Sequence, residues 1–105
     1  METPSLHYIN SLAEGDEYFK KQLINILKEE FPKEKIIFLN NFNAKKYVLA
    51  SENVHKLKHK ISMLGLEEAF IMASKFEENL KQNNVDLHKK FINCLAKITE
   101  FLNRI

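Results

Sequence analysis

The chain has 105 residues, which is enough for one hydrophobic core and too few for two independent domains. Hydrophobic residues make up 45% of the chain and charged residues 29%, a balance typical of a folded globular protein rather than a disordered one. Sixteen Lys and Arg residues against fourteen Asp and Glu leave a formal net charge of +2, which is too small to indicate a nucleic-acid-binding surface.

Cysteine content and hydropathy exclude further classes of protein. Cys94 is the single cysteine, so the chain has no internal disulfide and no cysteine-rich zinc site. No apolar run approaches the ~20 residues that cross a bilayer, and the N-terminus lacks the basic and apolar segments of a signal peptide. We therefore expect one cytoplasmic domain covering residues 1–105, with neither a membrane nor a nucleic acid among its partners.

Helical periodicity begins near the N-terminus. A short helix is predicted over residues 5–13, and Gly15 ends it. Asp16 is placed to cap a second, amphipathic helix. Pro32 is predicted to begin a third helix that reaches about Phe42, because proline costs least in the first turn of a helix.

The second half of the chain repeats this pattern. Asn43 is predicted to cap a long helix that ends at Gly65, a further helix covers about 67–82, and Asp86 is predicted to cap the last one. With only two Gly and two Pro, turn residues are too few for most sheet proteins. Short connections make neighbouring helices antiparallel, so we expect an all-α, up-and-down four-helix bundle with a short extra N-terminal helix.

The helix that follows Asn43 has two different faces. Its core-facing stripe consists of apolar residues at spacings of three and four: Tyr47, Ala50, Val54, Leu57, Ile61 and Leu64. At about 100° per residue, His55 points well away from that stripe. Ser51, Lys58, His59 and Ser62 lie within one or two turns of His55 on the same side. The pattern predicts an exposed imidazole in mid-helix, with an ammonium group and hydroxyls nearby.

The segment from His55 to Gly65 resembles the signature of histidine-containing phosphotransfer (HPt) domains, H-x-L-K-G followed by L-G. His55, Leu57, Lys58, Leu64 and Gly65 match it at the right spacing. The resemblance extends over about residues 6–81 and includes Gly15-Asp16-Glu17, Pro32 and Phe76-Glu77.

The resemblance implies a phosphorelay intermediate. His55 would accept a phosphoryl group from an aspartate of a receiver domain, in a response regulator or a hybrid histidine kinase, and pass it on to another. Lys58 would stabilise the phosphoryl oxygens and would disfavour the imidazolium form of the histidine. The receiver would supply Mg²⁺, so this chain needs no cofactor or metal of its own and is a phosphoryl carrier rather than an enzyme. Members of the family are mostly monomers, and we expect a monomer here.

Two features bear on docking. The family commonly has Gly and then small residues after the lysine, whereas this chain has the bulky His59 and Lys60. Apolar side chains off the core stripe are candidates for a transient interface, and Ile37 and Val48 are two such residues. The predicted partner-binding residues are Ile37, Val48, Ser51, His59 and Ser62.

Three other functions are alternatives to a phosphorelay intermediate. His55 and His59, four residues apart on one helix, could chelate zinc, but two ligands do not complete a site and neither His88 nor Cys94 belongs to a ligand pair. A helical interaction module that needs no phosphorylation is the main alternative, favoured by the substituted Gly position. No nucleotide-binding loop or nucleophile–base constellation predicts an independent enzyme.

Overall fold

The computed structural model describes residues 2–105, which form an all-helical bundle. Its elements are α1 (His7–Ala13), α2 (Glu17–Asn43), α3 (Tyr47–Met63), α4 (Glu67–Lys81) and α5 (His88–Arg104). Helices α2 to α5 are the four bundle helices and α1 is the short extra one, as the sequence predicts. Across the described residues, every helix is too short or too polar to cross a membrane.

Helix α2 runs without interruption through Pro32, which corrects the prediction of a separate helix beginning there. A proline inside a helix costs about 3 kcal/mol, since it removes one hydrogen bond and crowds the preceding turn. Leu27 and Phe31 before it and Phe38 after it are all at most 1% exposed. Burial of such side chains contributes about 1.5–3 kcal/mol each, which offsets the cost of the proline within one continuous core-facing helix.

The ends of two other helices also differ from prediction. Asn43 is the last residue of α2 rather than a cap, and α3 begins at Tyr47 after a turn in which Lys45 has φ 60°. Helix α5 begins at His88 after Leu87, so Asp86 does not cap it. The backbone N–H of Asp86 instead donates to Oδ1 of Asn84 at 2.9 Å, closing a local turn.

The core lies around α3, which packs against α2 on one side and α4 on the other. Its predicted stripe is confirmed: five of the six residues are fully buried and Tyr47 is half-buried. Helices α4 and α5 also direct apolar residues inward, including Ala73, Phe76, Leu80, Phe91, Leu95 and Ile98.

The first turns of α2 are less covered than its periodicity suggests. Phe19 is 40% exposed and Ile26 is 47% exposed, although both are apolar residues of a helix predicted to be amphipathic. With 27 residues, α2 is about 40 Å long, whereas the 17 residues of α3 span about 25 Å. The N-terminal part of α2 therefore extends beyond its bundle partners, and the seven-residue α1 covers only part of it.

The junction between α3 and α4 depends on Gly65, which has a φ of 75°. A side chain there would be strained, and its Cβ would also lie 3.4 Å from Oγ of Ser5. The N-terminal segment contacts this turn because the N–H of Ser5 donates to the carbonyl of Leu64 at 3.0 Å. Leu57 and Leu64 of the motif are fully buried, so their role is in packing.

Asp16 caps α2 as predicted, since its Oδ1 accepts a hydrogen bond from the N–H of Phe19 at 3.0 Å. We expect Asp16→Ala to lower the free energy of unfolding by about 1 kcal/mol. Asp86→Ala is the matched control, because that carboxylate caps no helix, and it should change stability by less than about 0.5 kcal/mol. Urea unfolding followed by circular dichroism measures both, and equal losses in the two variants would contradict the assignment of the cap.

Candidate functional site

His55 lies in the middle of α3 with 54% of its side chain exposed. Its neighbours Val54 and Leu57 are fully buried, so the backbone at this point is anchored in the core while the imidazole faces outward. The placement matches the sequence prediction. A group on a packed helix is held more rigidly than one on a loop, which suits a reaction that depends on positioning.

A carboxylate that the sequence analysis did not assign to the site holds the imidazole. Glu77 of α4 is buried, and its Oε2 lies 3.1 Å from Nδ1 of His55. Its Oε1 lies 2.9 Å from Nζ of Lys58. One carboxylate of α4 therefore joins the two residues of α3 that the motif singled out.

This contact sets the orientation and the tautomer of His55. An ionised carboxylate can only accept hydrogen bonds, so Nδ1 carries the proton and donates it to Glu77. Nε2 lies on the other side of the ring and is directed away from Glu77, with its lone pair available. The geometry is that of an oriented nucleophile, since a carboxylate behind a histidine fixes which nitrogen reacts.

Two opposing effects act on the pKa of Glu77. Burial of the carboxyl acts to raise its pKa, but the hydrogen bond and charge of Lys58, assisted by His55, outweigh burial and hold the pKa below its ordinary value. Glu77 is therefore ionised at neutral pH and presents a negative charge behind His55.

Lys58 is less exposed than a lysine on a solvated face, with only 16% of its side chain accessible. Besides Glu77, its Nζ contacts Oγ of Ser74 at 3.3 Å and lies 5.4 Å from the centroid of the Phe70 ring. These contacts come from successive turns of α4 and hold the ammonium in the groove between the two helices. Lys58 is thus a fixed charge next to His55 rather than a mobile surface group.

The two bulky residues that follow Lys58 point in different directions. Lys60 turns towards α2, where its Nζ lies 2.9 Å from Glu30 and 3.4 Å from Glu34. Burial acts to lower the pKa of Lys60, but the hydrogen bonds and charges of both glutamates outweigh it and raise the pKa. Lys60 therefore leaves the surface beside His55 open, while His59 remains exposed with its ring centroid 5.1 Å from that of His55.

The predicted partner-binding residues are distributed unevenly around the site. Val48, 60% exposed, lines the same 530 Å³ cleft as His55 and Glu77, and Ser62 is exposed further along α3. Ser51 is only 1% exposed and its hydroxyl donates to the carbonyl of Val48, so the expectation that it offers a hydroxyl to a partner is wrong.

Ile37 is 51% exposed on α2. Glu34 and Asn41, its neighbours along that helix, contact Lys60 and Asn53 of α3 at 3.4 and 2.7 Å. This places Ile37 on the α2 side of α3, whereas Glu77 approaches His55 from the α4 side. The structure therefore does not bring Ile37 into the cleft beside His55.

Two other potential nucleophiles are poorly placed for chemistry. The ring of His88 stacks on Phe42 with centroids 3.7 Å apart, and burial lowers its pKa. Burial raises the pKa of the Cys94 thiol to about 11, which leaves it protonated and inert at neutral pH. Within residues 2–105 no group of three or more His, Cys, Asp or Glu side chains could hold a metal ion.

A signal for Glu77 does exist in the sequence. Two antiparallel helices bring together residues that lie at similar distances from the turn between them, here Gly65. His55 lies ten residues before that glycine and Glu77 twelve after it. Glu77 also follows the core residue Phe76, which places it at the edge of the α3–α4 interface.

The pKa shift of Glu77 predicts how stability depends on pH. Because its pKa is lower in the folded state, the carboxylate stabilises the fold above its unfolded pKa, about 4.3. That contribution is lost as pH falls through the folded pKa. We expect the stability difference between wild type and Glu77→Gln to be largest near pH 7 and to shrink towards pH 3. Urea unfolding across this range measures it, and a difference that grows in acid would contradict the pairing.

Comparison with known proteins finds no match to this chain. No protein-family model matches the chain, and neither a curated protein nor a solved structure matches it. Any functional conclusion therefore depends on the residues and geometry of the α3–α4 site.

Proposed function

We propose that this protein is a phosphorelay intermediate that carries a phosphoryl group on Nε2 of His55. The observation that carries the proposal is the hydrogen bond from Nδ1 of the exposed His55 to the buried carboxylate of Glu77, with Lys58 on the other carboxylate oxygen. The donor and acceptor partners are aspartates of receiver domains, which also supply Mg²⁺.

The transfer step uses the free lone pair of the ring. Nε2 attacks the phosphorus of an aspartyl phosphate, the N–P bond forms, and the P–O bond to the aspartate breaks, so that the receiver recovers its carboxylate. The ring keeps its proton on Nδ1 and becomes positively charged. The Glu77 carboxylate 3.1 Å away stabilises that charge, as the carboxylate behind a catalytic histidine does in acyl transfer.

Lys58 has two tasks in this scheme. Its charge balances that of Glu77 in the resting protein, so the buried carboxylate keeps a cationic partner. Its ammonium also lies beside the reacting histidine, where it can attract the phosphoryl oxygens. Because transfer of this kind depends mainly on positioning and electrostatics, these three side chains provide sufficient machinery.

The cleft beside His55 supports docking of a partner. It has a volume of about 530 Å³, and its walls include Val48, the basic Lys56 and Lys81, and the acidic Glu52 and Glu77. The exposed apolar Val48 beside His55 offers a partner a contact that does not depend on charge, since the two lysines of the cleft are balanced by its two glutamates. We expect the receiver to cover Val48 and His55 together.

The test is direct phosphate transfer. Receiver domains phosphorylated on aspartate with ³²P and freed of donor are incubated with the full chain, and loss of label from the receiver is followed with time. We expect at least one receiver to label this protein, and the label should be labile in acid and stable in base, as a phosphohistidine is.

The alternative function makes the opposite prediction. If the chain is an interaction module that needs no phosphorylation, receivers can bind it but none will transfer label. Binding without transfer across a broad panel of receivers would overturn the proposal.

A further inference from the structure

We propose that His55 and His59 form a two-histidine site for a divalent transition-metal ion such as Zn²⁺, and that the metal competes with the phosphoryl group for His55. Metal binding is a property of the side chains themselves, while the competition rests on the proposed function. The ion would be exchangeable rather than resident, in keeping with the sequence prediction that the chain needs no metal.

The spacing of the two rings fits coordination to one ion. With a Zn–N bond of about 2.0–2.1 Å, the centroid of a coordinated imidazole lies about 3.2 Å from the metal, and two such centroids at a tetrahedral angle are about 5.2 Å apart. The ring centroids of His55 and His59 are 5.1 Å apart. Their planes are nearly perpendicular, at 84°, which coordination through ring nitrogens permits. The separation of the two rings is therefore compatible with one shared ion, which requires a nitrogen of each ring to turn towards it.

Glu77 supplies the outer contact that metal-binding histidines usually have. A coordinated histidine almost always donates its other ring N–H to a carboxylate or carbonyl, which orients the ring and strengthens the ligand. Nδ1 of His55 donates to Glu77 at 3.1 Å, so Nε2 is the nitrogen left for a metal. The hydrogen bond to Glu77 therefore leaves the lone pair of Nε2 available to a zinc ion as well as to phosphorus.

The surrounding charges do not oppose a cation as strongly as the sequence suggests. Lys58 and Lys60 flank His59, but Lys58 is paired with Glu77 and Lys60 with Glu30 and Glu34. Since no third protein ligand is within reach in residues 2–105, water would complete the coordination. Two protein ligands and an open position give reversible binding rather than a structural site.

Zinc titration of the tag-free full chain by calorimetry tests the binding. We expect one ion per chain with a Kd on the order of 10 µM. Removal of either ligand, in His55→Gln or His59→Gln, should weaken binding at least about tenfold, and Glu77→Gln should weaken it about tenfold through the lost outer contact. His7→Gln, which removes an exposed histidine of α1, is the matched control and should leave binding unchanged.

The competition is tested with a receiver that transfers phosphate. At 100 µM ZnCl₂, about ten times the expected Kd, the initial rate of uptake by wild type should fall about tenfold, because roughly one molecule in eleven remains free. For His59→Gln, 100 µM ZnCl₂ should change the initial rate of uptake from the same receiver less than twofold relative to the rate of this variant without metal. Equal inhibition of both proteins would assign the effect to the receiver and overturn the competition.

The two proposals can fail separately. If no receiver transfers phosphate but zinc binds through both histidines, the phosphorelay proposal and the competition are wrong and the metal site stands. If phosphate is transferred but 100 µM zinc gives no binding heat and no shift of the His55 and His59 ring resonances, the metal site is wrong. Zinc binding that His59→Gln leaves intact would also overturn it.

Discussion

His55→Gln will take up no phosphate from a receiver that labels the wild-type protein. Glutamine has no nitrogen lone pair that can attack phosphorus, since its amide nitrogen is a donor only. The side chain is 54% exposed, so the change should alter the free energy of unfolding by less than about 0.5 kcal/mol, apart from the lost contact to Glu77. The measurement is the labelling time course, with circular dichroism and urea unfolding to verify the fold.

The matched control is His59→Gln, which removes the neighbouring imidazole on the same helix. It should still become labelled, because His55 and Glu77 remain in place. Retained labelling of His55→Gln at the wild-type rate would contradict the assignment and would direct attention to His59 or another histidine.

Lys58→Ala should slow phosphate transfer about tenfold or shorten the lifetime of the phosphohistidine by a similar factor. A charge-assisted contact contributes on the order of 1–3 kcal/mol, and partial solvent exposure places the expected loss near 1.4 kcal/mol, which is tenfold in rate. The variant also removes the ammonium group from Glu77, which keeps its hydrogen bond from His55.

Lys75→Ala is the control for this variant. Lys75 is exposed on α4, one residue from Ser74 but outside the network, and its removal should change neither rate nor lifetime. If Lys58→Ala and Lys75→Ala give the same transfer rate and the same phosphohistidine lifetime, Lys58 has no part in the chemistry and only packs between the helices.

The fold was predictable where one physical signal dominates. The stripe on α3 places five residues fully inside, because burial of side chains at spacings of three and four outweighs other preferences in a helix of this length. Pro32 was wrongly predicted to begin a new helix. The cost of a proline inside a helix is visible in the sequence, but the burial of Phe31 and Phe38 that offsets it depends on packing between helices. Asp86 was wrongly predicted to cap the last helix, because Asp86 belongs to a turn. Its backbone N–H donates to Oδ1 of Asn84 there, and α5 begins only after Leu87.

The candidate site was predictable in part. His55 and Lys58 share a helix, so their relation follows from sequence spacing. Glu77 belongs to another helix, and its contact with both residues depends on the register of α3 against α4, which spacing along one helix cannot supply. Ser51 shows the reverse error, because a residue within a turn of His55 was expected outside and is buried.

The most direct measurement of the central claim identifies the phosphorylated atom. The full chain is labelled by a phosphorylated receiver and examined by NMR correlation between ³¹P and the ring protons of its histidines. We expect phosphorus on Nε2 of His55, because Nδ1 keeps its proton in the hydrogen bond to Oε2 of Glu77, 3.1 Å away. Phosphorus on Nδ1 of His55, or on His7, His59 or His88, would contradict it.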